Sequence, residues 1–209
     1  MTEKQQQGFL KSAYDHTSVA ETYDMYEAWA DTYDSELAEN GYQQPIRCAH
    51  ALKVIMPDAS NVLDIGCGTG LSGDELKKAG FSNIDGCDFS PAMLEKAKYT
   101  NAYNRLFQAD LNKPPLDVAD RSYDAMTVVG VFSMQHVKVE AMDDLLRTVR
   151  PGGAMVIGLN DKFYRQGDLY AKLDALAVLG RISQIGHEHG EHIPDIGLTG
   201  WVISLRVLG

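Results

Sequence analysis

The residues of this 209-residue chain best suited to chemistry stand at the ends of short apolar runs. The sharpest set is Val62-Leu63-Asp64-Ile65-Gly66-Cys67-Gly68-Thr69-Gly70, an apolar run that ends in an acid and then in alternating glycines. Glycine lets the backbone turn tightly and lets a ligand approach with no Cβ in the way. A dinucleotide fingerprint, G-x-G-x-x-G, would need its third glycine at position 71, and that residue is Leu71. Asp64, just ahead of the first glycine, would sit badly beside a pyrophosphate. It suits an ammonium group instead, reached directly or through water. The turn therefore favours a cationic nucleoside over a diphosphate one.

Further motifs follow in order. Asp85-Gly86-Cys87-Asp88-Phe89-Ser90 places Asp88 at the end of a second run. An ionised carboxylate only accepts hydrogen bonds, so it can take both hydroxyls of a ribose. Phe89 beside it can stack on a base. Gln108-Ala109-Asp110-Leu111 puts an acid at the end of a third run, where it can accept from an adenine amino group. Val128-Val129-Gly130-Val131-Phe132 ends a fourth run, and Arg150-Pro151-Gly152-Gly153 is a sharp turn before a fifth. Each acid also has a plain structural reading: Asp64 as a turn cap, Asp88 as the lead-in to a helix capped by Ser90, Asp110 as a turn acid before Asn112.

These residues need a scaffold that gathers the ends of the runs. Segments 61–65, 83–88, 105–109, 123–131, 154–159, 181–185 and 201–207 read as strands. Helical patterns at 45–56, 72–79, 90–101, 139–149 and 162–179 come between them. Such alternation implies right-handed crossovers and a doubly wound α/β sheet, mostly parallel, with helices on both faces. Residues 1–12 read as a loose tail. Residues 13–44 are acidic and aromatic, with Trp29, Tyr33 and Tyr42 among several rings and little aliphatic content. That segment must lie on something else, and the main domain is expected over 45–209.

Composition narrows the partners. Nineteen Lys and Arg against 29 Asp and Glu give a formal net charge of −10, with the cations in scattered pairs, so no nucleic-acid partner is expected. No apolar run approaches the roughly 20 residues that span a bilayer, and Met1–Leu10 has no apolar signal core. Cys48, Cys67 and Cys87 form neither a disulfide framework nor a metal-finger spacing, which suits a reducing cytoplasm.

Taken together, the motifs over residues 45–160 resemble the class I S-adenosylmethionine-dependent methyltransferases. More narrowly, Trp29-Ala30-x-x-Tyr33-Asp34, Gly41-Tyr42-x-x-Pro45, Met93-Leu94-x-x-Ala97 and Arg147-x-x-Arg150-Pro151-Gly152-Gly153 resemble the Williams-Beuren syndrome region methyltransferase-like group. The resemblance implies a Rossmann-like seven-stranded sheet of order 3-2-1-4-5-7-6 with the last strand antiparallel. It also implies S-adenosyl-L-methionine as cofactor, bound at the carboxyl ends of strands 1 to 4. Gly66, Cys67, Gly68, Thr69 and Gly70 would line it, with Asp64 orienting its amine and Asp88 its ribose. Asp110 and Leu111 would frame the adenine between Phe89 and Met93, and Gly130 and Val131 would sit beside the sulfonium. Trp29 and Tyr33 would close over it as a lid, since aromatic faces attract cations.

The acceptor side is less marked. Methyl transfer needs a base only when the acceptor arrives protonated. His136, just past the fourth strand, is the candidate, with a helix-cap or packing histidine as its plain reading. Asn160, Tyr164 and Arg165 follow the fifth strand at the same edge and could bind substrate, or could be a solvated helix start. His187-Glu188-His189-Gly190-Glu191-His192 has no zinc-helix spacing and reads as a surface loop without metal. The expected function is methyl transfer to a small molecule by a monomer or homodimer. The rivals are a protein acceptor, a dehydrogenase, which Leu71 argues against, and a non-catalytic cofactor-binding module that contacts a protein.

Overall fold

A computed structural model describes residues 32–132 and 137–209, with the Tyr33 side chain set aside. The chain enters through two helices, α1 (Tyr33–Glu39) and α2 (Gln44–Ile55). Pro45 opens α2 from its first turn, where a missing N–H costs nothing. Strands and helices then alternate: β1 (Val62–Ile65), α3 (Leu71–Lys78), β2 (Ile84–Asp88), α4 (Pro91–Ala97), β3 (Arg105–Gln108), β4 (Tyr123–Val129), α5 (Ala141–Thr148) and β5 (Val149–Asn160). The chain ends with α6 (Asp161–Tyr164), α7 (Asp168–Val178), β6 (Ile182–Ile193) and β7 (Leu198–Val207). Ser90 caps α4 as its sequence indicates, its hydroxyl accepting from the Met93 N–H, and Pro91 follows in the first turn.

The strands form one sheet of order 3-2-1-4-5-7-6. The pairs β1–β2, β2–β3, β1–β4 and β4–β5 are parallel, whereas β7 runs antiparallel to both β5 and β6. Asp64 lies between Gly86 on one side and Thr127 on the other. After β1 the chain winds toward β2, and β4 returns on the opposite flank, so the carboxyl ends of β1 and β4 part and leave a crevice.

Alternate strand residues serve opposite faces. Val62, Ala125, Ala154 and Val156 pack under Cys48, Ala49, Leu52 and Leu76 of α2 and α3. Leu63, Ile65, Met126, Val128, Met155 and Ile157 pack under Met142, Leu145, Leu146, Leu169 and Leu173 of α5 and α7. Burying a large aliphatic side chain contributes about 1.5–3 kcal/mol, so both layers hold the strand ends in register. Among the described residues no helix is long and apolar enough to cross a membrane.

Three local features differ from what the sequence pattern indicates. The helix expected over 162–179 is two helices, because Gly167 adopts φ 84 ahead of α7. The turn at Arg150-Pro151-Gly152-Gly153 is a bulge inside β5: β4 advances from Tyr123 to Ala125 while β5 advances from Val149 to Ala154. Pro151 has no N–H for the ladder, and a strand accommodates that by bulging. The histidine-rich segment is not a loop. It is the second half of β6, paired with β7 from Ile182↔Val207 to Ile193↔Leu198. An edge strand need not be apolar, and its charges discourage further pairing, so its composition hides its conformation.

Candidate active site

The glycine turn links β1 to α3. The Cys67 N–H donates to the Cys87 carbonyl (2.9 Å), tying the turn to the end of β2. Gly66 has φ 64, and a Cβ there would lie 2.3 Å from Val131 Cγ2, so only glycine lets the β1 and β4 ends touch. Gly68 has φ 53 and nothing within 4 Å of where its Cβ would be, so the turn presents bare backbone outward. Its N–H donates to Asp88 Oδ2 (2.9 Å), and the Ser90 N–H donates to Asp88 Oδ1 (2.9 Å). Asp88 is thereby clamped across the turn at the edge of the crevice. Buried Thr69 donates its hydroxyl to Asp34 of α1, which ties the N-terminal helix to the same turn.

Asp64 sits beneath the turn. Its Oδ2 accepts from Ser72 Oγ (2.5 Å) and Tyr103 Oη (2.7 Å), and its Oδ1 accepts from Thr127 Oγ1 (2.8 Å). Burial pushes this carboxyl up to about 6, against the pull of those three hydroxyl donors. At 0% exposure it braces the turn from below. The Tyr103 hydroxyl also accepts the Gly73 N–H (3.0 Å), so the first turn of α3 hangs on the same network.

At the β2 and β3 ends, the Ala109 N–H donates to the Asp88 carbonyl (2.9 Å) and Gln108 Nε2 to the Phe89 carbonyl (2.9 Å). Asp88, Phe89 and Asp110 therefore share one rim. Phe89 is exposed, whereas Met93 is 1% exposed and lies within the protein. Asp110 accepts the Asn112 N–H (3.0 Å) and pairs with Lys113 (3.0 Å), the turn role its sequence also allowed. Leu111 is half-buried against the core.

At the β4 end, the Gly130 N–H donates to the Gly158 carbonyl (2.8 Å), and Val131 is buried against Gly66. The Tyr42 hydroxyl comes within 3.7 Å of the place a Cβ on Gly130 would take. Asn160 is buried and caps α6, accepting from the Phe163 N–H (3.1 Å). Tyr164 stacks on Trp201, with ring centroids 4.4 Å apart, and Arg165 is exposed 3.6 Å from Asp161. Burial works to raise the Asp161 carboxyl, but hydrogen bonds from Thr199 and His189, with the charges of His189 and Arg165, bring it below the usual carboxylate range.

Of the three histidines of β6, His187 and His189 share a face against Trp201, and His192 turns away from them. His187 lies on Trp201 and Tyr164, and His189 Nε2 is 3.1 Å from Asp161 Oδ1. His192 is buried with its Nδ1 3.0 Å from Gln44 Oε1, and burial together with the Arg47 charge pulls it down to about 4. Among the described residues no trio of His, Cys, Asp or Glu is grouped to hold a metal. His136 and Trp29 lie outside the described residues, as does the Tyr33 side chain.

Sequence reading does not single out Ser72, Tyr103 or Thr127, and it marks Asp34 only as the end of the Trp29-to-Asp34 motif. Ser72 follows the turn directly in α3, whereas Asp34 of α1, Thr127 of β4 and Tyr103 in the loop before β3 reach it only by tertiary packing. The signal for Ser72 was its place two residues after the last glycine of the turn.

The methyltransferase-domain family matches residues 62–153. Over 184 residues the chain is 30% identical to methyltransferase-like protein 27 of Homo sapiens, a match that covers 87% of this chain and 74% of that protein. With the sheet order above, the chain belongs to the class I S-adenosylmethionine-dependent methyltransferases, whose cofactor is S-adenosylmethionine. Its fold is that of a TehB-like S-adenosylmethionine-dependent methyltransferase from Corynebacterium glutamicum (TM-score 0.63, 21% identity, 86% of this chain and 98% of that one). It is likewise that of the N-methyltransferase NodS from Bradyrhizobium japonicum, solved with S-adenosylhomocysteine (TM-score 0.57, 18% identity, 77% and 85%). The residues in place fit such a nucleoside. Bare backbone at Gly68, an acceptor-only carboxylate at Asp88 and an exposed ring at Phe89 line one rim.

Proposed function

We propose that this protein moves a methyl group from S-adenosylmethionine to a small-molecule acceptor by in-line displacement. The observation that carries this reading is the contact of the β1 and β4 glycine turns through Gly66 and Val131, with Asp88 clamped to Gly68 beside them. The cofactor supplies an activated methyl carbon, and the protein's share is to position the acceptor and exclude water. Gly66, Cys67, Gly68, Thr69 and Gly70 form the cradle, and Asp64 holds it rigid from below. Asp88 takes the ribose hydroxyls, Phe89 and Leu111 flank the base with Asp110 at its edge, and Met93 backs that wall. Gly130 and Val131 border the sulfonium.

Residues 13–44 act as the lid, with Trp29 and Tyr33 over the cofactor. The bond from Thr69 to Asp34 supports this by fixing α1 at the turn. Asn160, Tyr164 and Arg165 form the acceptor side at the carboxyl end of β5. Arg165 is suited to a substrate carboxylate. His136 is the base for an acceptor that arrives protonated. A net charge of −10 suits a neutral or cationic small molecule in the cytoplasm. Calorimetry with S-adenosylmethionine, S-adenosylhomocysteine and NAD tests the reading: the first two should bind and NAD should not. Failure of both adenosyl ligands would refute it and leave a module that only contacts a partner.

A further inference from the structure

Tyr42 stands between α1 and α2 and is fixed from several sides. Its N–H donates to the Leu37 carbonyl (3.0 Å), and the N–H of Gln43, the next residue, donates to the His192 carbonyl (2.9 Å). Its ring meets His192 edge to face, with centroids 5.2 Å apart and planes at 74°. His192 is in turn held by Gln44, whose Nε2 donates to the Trp201 carbonyl (2.6 Å). Arg47, one turn on, donates to the carbonyls of Glu188, Glu191 and Gly200. The ring is therefore mounted jointly on the start of α2 and on the β6–β7 hairpin. What it carries to the crevice is one hydroxyl, 3.7 Å from the point where a Gly130 side chain would begin. Gly130 is one residue from Val131, which closes on Gly66, so this hydroxyl stands where the two glycine turns converge.

We infer that Tyr42 touches the methyl group that is transferred: its hydroxyl oxygen accepts the polarised C–H groups of the S-methyl and fixes the line along which that methyl leaves. This rests on the reading of the crevice as an S-adenosylmethionine site. A positive sulfur makes the methyl hydrogens better donors than those of a neutral alkyl group, and C–H···O contacts of this kind are weak singly but directional. The anchoring by His192 and Gln44 matters because a weak contact directs only if its oxygen is already in place. His192 is thus a positioning residue for Tyr42.

The test is a binding comparison, which needs no knowledge of the acceptor. Sinefungin carries a primary amine where the cofactor carries its S-methyl, and S-adenosylhomocysteine carries nothing there. The ammonium of sinefungin should donate a charge-assisted hydrogen bond to Tyr42. Tyr42→Phe keeps the ring and its edge contact with His192 while removing only the oxygen. By calorimetry on the full chain, sinefungin should bind Tyr42→Phe about tenfold or more weakly than wild type, the loss expected for a hydrogen bond to a charged group. S-adenosylhomocysteine should change by less than about twofold, since it has no group to lose that bond. Equal changes for the two ligands, or none for sinefungin, would overturn the assignment of Tyr42 while leaving the cofactor site standing. Wild-type protein that binds neither ligand would instead overturn the cofactor reading, and this inference with it.

Discussion

Asp64→Asn and His192→Gln should tilt the pH dependence of stability in opposite directions. Burial raises Asp64 from its ordinary 3.8 to about 6, so the folded chain holds this proton more tightly than the unfolded chain does. Its contribution is full below about pH 4 and is lost as pH rises through about 6, some 3 kcal/mol in all. His192 works the other way. Burial first, and then the Arg47 charge, lower it from 6.5 to about 4. Its contribution is full above about pH 6.5 and is lost as pH falls toward 4, again by about 3 kcal/mol. Both side chains are buried, so solvent screening discounts neither strongly.

Between about pH 7.5 and 4.5 the two groups therefore offset each other, with roughly 2 kcal/mol moving each way. Wild type should look flat from these two groups, and each substitution should uncover the other group. Relative to wild type, Asp64→Asn should lose about 2 kcal/mol on acidification across that window, and His192→Gln should gain a similar amount. An amide at 64 keeps the volume, and the hydroxyls of Ser72, Tyr103 and Thr127 can rotate to accept from it. Urea titrations at several pH values measure this directly, because a change of about 2 kcal/mol moves the midpoint by roughly 1 M. Variant curves that run parallel to wild type across the window would refute the reasoning.

Other perturbations probe the crevice. Asp88→Ala should weaken S-adenosylmethionine binding by about 1–3 kcal/mol through lost hydrogen bonds, and unchanged affinity by calorimetry would sink the ribose assignment. Gly66→Ala places a methyl 2.3 Å from Val131 Cγ2 at a positive φ and should lower the melting temperature; the expected cost is about 1–3 kcal/mol. Adding Val131→Ala should recover the steric part of that loss and leave the backbone strain. Removing residues 1–40 takes away the aromatic segment and the Asp34 bond to Thr69. The domain should still melt cooperatively but bind the cofactor more weakly, and equal binding would dispose of the lid.

The sheet was legible because its cues are local. Alternating runs and helices, a proline at the start of α2 and a serine-proline start to α4 each act within a few residues. The order of strands came from the resemblance and not from periodicity, which cannot tell which edge a strand joins. The glycine turn and Asp88 were legible because each closes a run. Their contact through the Gly68 N–H was not, since it depends on the Asp64–Gly86 register that tertiary pairing sets. The charge of Asp64 is legible in the sequence, but the three hydroxyls that bond it are not, being distant in sequence or packed on α3. The β6 histidines misled for a related reason. Their composition describes solvent contact, whereas their conformation is imposed by β7.

The pairing of α2 with the β6–β7 hairpin also orders events in time. Gln44 reaches the Trp201 carbonyl across 157 residues of sequence, and Arg47 reaches Gly200 across 153. Contacts of such separation carry the largest loop-closure cost and form late. A chain leaving the ribosome exposes its glycine turn long before the last two strands exist to seat His192 and Tyr42. The glycine turn can therefore assemble early in synthesis, while the seat of Tyr42 is completed only when the β6–β7 hairpin docks.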